Sequence, residues 1–161
     1  MANDLFQTVP EARRRHMARV KGKDTKPEKI VRQTAHAIGL RFRLHRRDLP
    51  GTPDMVFPRL STVVFVHGCF WHRHSGCRRC TTPKTRTEFW NAKFVTNVER
   101  DMRNSEQLVR MGWKVLVVWE CETFDRDQLR VRLSNDLGSS QPRHDLDGNA
   151  SPTTAILRSE S

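Results

Sequence analysis

Val63-Val-Phe-Val-His67-Gly-Cys69-Phe70-Trp71-His72-Arg-His74-Ser-Gly-Cys77-Arg-Arg-Cys80 begins as an apolar strand and ends in a loop crowded with thiols, imidazoles and two aromatics. The β-branched run from Thr62 to Val66 suits the centre of a sheet, where both faces are covered. Upstream, Leu40 to His45 alternates apolar with polar residues and predicts a half-buried strand. The loop Arg46 to Pro53 delivers Asp54 to a second strand, Met55-Val-Phe57, and a turn bracketed by Pro58 and Ser61 leads into the central run. Asp54 and His67 therefore fall on neighbouring strands. Further back, Thr25-Lys-Pro-Glu28 reads as a helix start, with Ile30, Val31, Thr34, Ala35 and Ile38 on one face and Gly39 as the stop. Downstream, Thr87 to Met111 predicts one long helix with Trp90, Phe94, Val98, Met102, Leu108 and Val109 on roughly one side. Gly112 ends it, Trp113 to Trp119 is a further apolar strand, and a helical return runs from about Asp125 to Leu133. This order predicts an α/β fold, a mixed central sheet flanked by helices.

A chain of 161 residues suits one compact domain with tails. Its net charge of +11 is lopsided: from Glu11 to Arg47 there are thirteen Lys or Arg against three acids. A basic segment of that kind points to a polyanion, and to nucleic acid before a merely solubilising surface. There is no 18-residue apolar run and no signal-peptide pattern at the N-terminus, so a soluble, cytoplasmic protein is expected. In a reducing compartment the four cysteines read as metal ligands or buried thiols and not as disulfides.

Cys69, His74, Cys77, Cys80 and the distant Cys121 offer five ligands for a tetrahedral zinc that needs four. Spacing alone selects Cys69, His74, Cys77 and Cys80, whereas a staple between strand and loop would use Cys121 in place of one cysteine. Either set is closed, which makes the zinc structural. Asp54 and Glu28, from separate elements, can supply hard oxygens to Mg²⁺, although a Thr-x-x-Glu capping box also accounts for Glu28. His67 and His72 leave the central strand as candidate proton carriers for phosphodiester hydrolysis. Phe70 and Trp71, set among polar ligands, are expected to be exposed and able to wedge between bases; Trp90 can join them or serve as core.

Taken together these blocks resemble the very short patch repair (Vsr) mismatch endonucleases of bacteria. The resemblance runs from about Arg15 to Cys121, through Lys23–Glu28, Phe42–His45, Leu49–Asp54, Phe65–His72, Pro83–Trp90, Asn97–Asp101 and Trp119-Glu-Cys121. It implies a restriction-endonuclease-like fold of the PD-(D/E)xK type with a structural zinc site. The implied activity is a Mg²⁺-dependent nick in double-stranded DNA, 5′ to the thymine of a T·G mismatch left by deamination of 5-methylcytosine. Asp54 matches the family's metal-binding aspartate, with the backbone carbonyl of Val66 as second ligand, and His72 its general base. Glu28, His67 and Asp101 match residues around the metal and the phosphate. Cys69, His74 and Cys121 match zinc ligands, and Cys77 is favoured over Cys80 as the fourth, although the gap from His74 is one residue longer than the family pattern. Phe70, Trp71 and Trp90 match intercalating aromatics, and the basic stretch with Met17, Lys21 and Lys23 a segment that reaches the minor groove.

The expected organisation is a basic flexible arm over residues 1–16, an endonuclease domain over 17–136 and a disordered tail over 137–161, rich in Ser, Pro, Asp and Asn. The expected protein is a bacterial, nucleoid-associated monomer, with mismatch-repair accessory proteins as further partners. Two rival readings are a restriction-type endonuclease cutting intact duplex and a non-catalytic, zinc-braced DNA-binding module.

Overall fold

The computed structural model describes residues 22–138. The arm over 1–16, Met17 and Lys21, and the tail from residue 139 onward lie outside the described residues. The elements are helix α1 (Lys26–Ala37), strands β1 (Arg43–Leu44), β2 (Met55–Phe57) and β3 (Thr62–His67), helix α2 (Thr87–Arg110), strand β4 (Lys114–Trp119) and helix α3 (Arg126–Gly138), with 3₁₀ turns at Pro58–Leu60 and Glu120–Phe124. The sheet order is β1-β2-β3-β4. Its first two pairings are antiparallel and the last, β3 with β4, is parallel. This is the expected mixed α/β arrangement.

Period-two alternation divides the sheet into two faces. Met55, Phe57, Val64, Leu116 and Val118 point to one face and pack with Ile30, Val31 and Ala35 of α1 and with Leu129, Leu133 and Leu137 of α3. Val56 and Val63 point to the other, where Leu108 of α2 and Leu49 close over them and Phe65, Trp113 and Val115 pack alongside. His67 continues the Val63–Phe65 side of β3, which turns it toward α2.

Helices α1 and α2 stop in the same way. Gly39 (φ +82°) and Gly112 (φ +84°) adopt the left-handed backbone that glycine takes without steric cost. In α2, Gly112 N–H donates to the Val109 carbonyl and Trp113 N–H to that of Leu108, both at 2.9 Å, the paired bonds of a Schellman motif. The expected N-cap also forms: Thr25 Oγ1 accepts from Glu28 N–H at 3.4 Å, while the Glu28 carboxylate accepts from the Thr25 hydroxyl at 2.8 Å and from Asp24 N–H at 2.9 Å.

Three sequence expectations need correction. The strand expected over Leu40–His45 shrinks to Arg43–Leu44, and both of its residues are exposed. His45 takes φ +46°, which breaks extended backbone, and β2 offers only three residues to pair with. The apolar face assigned to α2 is rotated. On a wheel of about 100° per residue, Trp90, Phe94, Asn97, Asp101, Asn104 and Leu108 share one meridian, while Val98, Met102 and Val109 lie about a quarter turn away. Trp90, Phe94, Asn97 and Leu108 are buried, whereas Met102 and Val109 are exposed. The inward face of α2 is thus apolar at its ends and polar in the middle. Finally, α3 runs on to Gly138, because Leu137 extends the every-fourth-residue row of Leu129 and Leu133 into the core; Leu137 and Gly138, placed in the tail above, end this helix.

Candidate functional site: a cleft of carboxylates and histidines beside a thiol cluster

The polar middle of α2 faces the exit of β3 across a cavity of ≈ 940 Å³. Glu28, Asp54, Val66, His67, Trp71, His72 and Asp101 all line it, as do Lys93, Asn97, Arg100, Asn104 and Glu120, to which the sequence reading gave no role. Antiparallel pairing of Met55 with Val64 brings Asp54 to the Phe65–Val66 end of β3, where its Oδ2 accepts from Val66 N–H at 2.7 Å. Oδ1 receives no hydrogen bond from the described residues. The far wall is held by close approach: a Cβ at Gly51, whose φ of +72° already favours glycine, would sit 2.7 Å from the Asn104 side-chain nitrogen, so a larger residue would have to push that side chain aside.

His72 and Asp101 meet at 2.5 Å between Nδ1 and Oδ2. His67 stacks on His72 with ring centroids 3.9 Å apart and planes 11° from parallel. These three form one cluster of ligand-capable side chains. Glu28 is 4% exposed, and Thr25, Asp24 N–H and Arg32 (2.9 Å) all engage its carboxylate. Its main visible work is the helix cap and the ion pair, although its charge is felt at Asp54.

Electrostatics separate the two halves of this cleft. Burial raises the Asp54 carboxyl to about 6, helped by the Glu28 charge and opposed by the Val66 N–H. Burial lowers His67 to about 4, reinforced by neighbouring His72, so its imidazole is neutral at pH 7. Asp101 ends below its ordinary value: burial pushes it up, but the hydrogen bond from His72 and that ring's charge outweigh the push.

A second cluster lies on the other side of the β3 exit. One ligand atom from each of Cys69, His74, Cys77 and Cys121 falls within 4.8 Å of every other. His74 Nδ1 is 3.6 Å from Cys69 Sγ and 3.3 Å from Cys121 Sγ. Cys80 is outside the group. Of the alternatives left open by spacing, the structure gathers Cys121 with Cys77 and omits Cys80. Three thiols and an imidazole at this separation suit a tetrahedral, thiolate-binding metal.

The sequence is similar to known proteins along most of its described length. The family model described as DNA mismatch endonuclease Vsr matches residues 4–79. The DNA mismatch endonuclease Vsr of Escherichia coli (strain K12) is 44% identical over 117 residues, covering 73% of this chain and 74% of that protein. The type II nicking enzyme V.XorIIP of Xanthomonas oryzae pv. oryzae is 53% identical over 131 residues, 81% of this chain and 96% of that enzyme. The chain belongs to the Vsr family. Membership makes it a DNA endonuclease of the nicking kind, and family chemistry of this type calls for a divalent metal. Another relative is the type II nicking enzyme V.NmeAIP of Neisseria meningitidis serogroup A, 42% identical over 131 residues and 91% of its length.

In this Vsr-family chain the aromatics expected to stand exposed are packed together. Phe70 meets Trp71, Phe94 and Trp90 edge-on at 5.0, 5.1 and 5.6 Å. Trp90 and Phe94 are buried and Phe70 and Trp71 partly so. Edge-to-face contact among the rings removes apolar area from water that would otherwise remain exposed. The Arg73 guanidinium covers the Phe94 ring at 4.3 Å, and Asn97 donates to the Trp71 carbonyl at 3.1 Å. Lys23 is exposed at the start of the described residues. Among those residues no helix is long and apolar enough to cross a membrane. Asn97 and Asn104 could have been found in the sequence by following the Trp90–Phe94–Leu108 meridian instead of counting apolar residues alone.

Proposed function

We propose that this chain nicks double-stranded DNA 5′ to the thymine of T·G mismatches that arise when 5-methylcytosine deaminates, in a Mg²⁺-dependent hydrolysis. The observation that supports this reading is the shared cavity, in which Asp54, the His67–His72–Asp101 cluster and the Trp71 end of the aromatic group line one space. The fold that houses it is read as restriction-endonuclease-like, with an arm over residues 1–16, a catalytic domain from 17 to the end of α3 at Gly138, and a tail beyond.

The donor chemistry of the cleft suits a hard cation: the free Oδ1 of Asp54 and the carbonyl of Val66 would hold Mg²⁺, with Glu28 behind them. When bound, Mg²⁺ polarises the phosphate and eases ionisation of water. The residues do the rest. With Asp101 accepting from Nδ1–H of His72, Nε2 carries the lone pair that can take a proton. His72 takes one proton of the attacking water, the water oxygen bonds to phosphorus, and the P–O bond to the departing 3′ oxygen breaks, that oxygen taking its proton from solvent water. Ionised Asp101 stabilises the imidazolium that forms. Neutral His67 contributes a ring N–H for a phosphate oxygen. Zinc on Cys69, His74, Cys77 and Cys121 would have no open position and would brace the loop. Phe70, Trp71 and Trp90 would stack in the unstacked step, while Lys23 and the basic segment through Met17 and Lys21 meet phosphates and the adjacent groove. The setting is the bacterial cytoplasm, at the nucleoid, with the chain acting as a monomer and mismatch-repair accessory proteins as partners.

End-labelled duplexes test this. A T·G duplex should be nicked on the thymine strand only, with Mg²⁺ and not with EDTA, and the paired T·A and C·G duplexes should survive. Equal cleavage of paired and mismatched duplexes would replace this reading with a restriction-type activity.

A further inference from the structure

The Cys/His cluster and the cleft are separate groups, yet one side chain touches both. Trp119 closes the parallel β3–β4 ladder opposite His67. Its indole stacks on His74 of the thiol cluster, centroids 4.2 Å apart and planes 3° from parallel. Its edge meets His67 at 5.5 Å and 73°, and His67 in turn stacks on His72. Four rings therefore run without a break from the thiol cluster to Asp101.

The indole is itself firmly seated. Its backbone N–H donates to the Glu122 carboxylate at 2.7 Å. Glu122 pairs with Arg132 of α3, whose guanidinium also donates to the Val117 carbonyl at 2.8 Å. A rigid two-torsion aromatic fixed at both backbone and ring is a reference plane against which softer rings can be set.

We propose that Trp119 is a positioning residue: by stacking on His74 and abutting His67, it fixes the orientation of the His67–His72 pair relative to the Cys69–His74–Cys77–Cys121 cluster. The proposal rests on the assignment of His67 and His72 to the reaction in the nickase reading. It adds a residue that touches neither substrate nor metal. A displacement of about 1 Å in a catalytic ring can cost about a hundredfold in rate, so loss of the indole should act on turnover and not on DNA capture.

Trp119→Leu fills most of the space without an aromatic face, and Trp119→Phe restores one. Single-turnover nicking at saturating DNA, on whichever duplex the wild type cuts, should fall ~10- to 100-fold in Trp119→Leu. DNA affinity should stay within about threefold and zinc content unchanged, while Trp119→Phe recovers most of the rate. In DNA-free protein the ring-proton resonances of both His67 and His74 should move in Trp119→Leu, with exposed His36 as the unmoved control. A rate within twofold of wild type, a parallel fall in affinity and zinc content in both variants, or movement of only one of the two histidines would overturn the proposal. The resonance measurement needs no substrate, so its outcome is independent of whether T·G is the true lesion.

Discussion

The two faces of the sheet do different work. Under α1 and α3 the contacts are apolar from Ile30 to Leu137, a continuous hydrophobic layer. Under α2 the apolar layer is short, centred on Leu49, Val56, Val63 and Leu108, and gives way to Asn97, Asp101, His67 and His72. Burying polar groups costs stability unless each is paired. This face meets that cost with the His72–Asp101, Asp54–Val66 and Asn97–Trp71 hydrogen bonds. The contrast teaches that one face supplies stability and the other holds functional groups that stability alone would not select.

The largest test of this division is Asp54→Asn. Nicking should fall ~10³-fold or more, as expected when a metal-binding carboxylate is lost. Stability should move the other way. With the folded pKa raised from 3.8 to about 6, the folded state holds a proton that the unfolded chain has released, so Asp54 lowers stability as pH rises from about 4 to 6. In metal-free protein at pH 7 the asparagine variant should therefore be more stable, on the order of 2 kcal/mol, and no more stable at pH 3.5. Thermal melts at the two pH values check the sign; a less stable variant at pH 7 would break the comparison.

Leu133→Ala probes the opposite face. Leu133 is fully buried, and truncation should cost ~2–5 kcal/mol, read by urea titration, while the nicking rate of the folded fraction stays near wild type. A strong loss of rate in the folded fraction would mean that the faces are not separable.

The smallest effect on stability belongs to His67→Gln. Burial lowers the imidazole to about 4, so the folded state resists a proton that the unfolded chain accepts below about 6.5. Stability from this site is present above that pH and is lost as pH falls toward 4. The variant should lose less stability than wild type between pH 7 and pH 4.5, by on the order of 1–2 kcal/mol. Asp54 and His67 act in opposite directions over the same window, so the wild type should show a flatter profile than either variant.

Much of this was legible in the chain. Thr25, Pro27 and Glu28 announced α1, and Gly39 and Gly112 marked two helix ends, because caps depend on local backbone chemistry. The central run announced β3 through its β-branched residues, and the local spacing of Cys69, His74 and Cys77 announced a soft-ligand cluster. The cut of β1 to two residues was not legible, since it depends on the backbone turn at His45 and the short length of β2. Nor was the packing of Phe70 and Trp71: their exposure was inferred from polar sequence neighbours, whereas Trp90 and Phe94, about twenty residues downstream, supply the contact.

The sequence by itself determined the order of elements, the family and the residue types of both clusters, because periodicity, caps and ligand chemistry act over a few residues. Only the tertiary structure decided which residues meet. The choice of Cys77 over Cys80, the pairing of His72 with Asp101, and the seating of Trp119 between two histidines all depend on strand register and helix orientation. Those are fixed by burying apolar area across the whole sheet, and no window of neighbouring residues contains them.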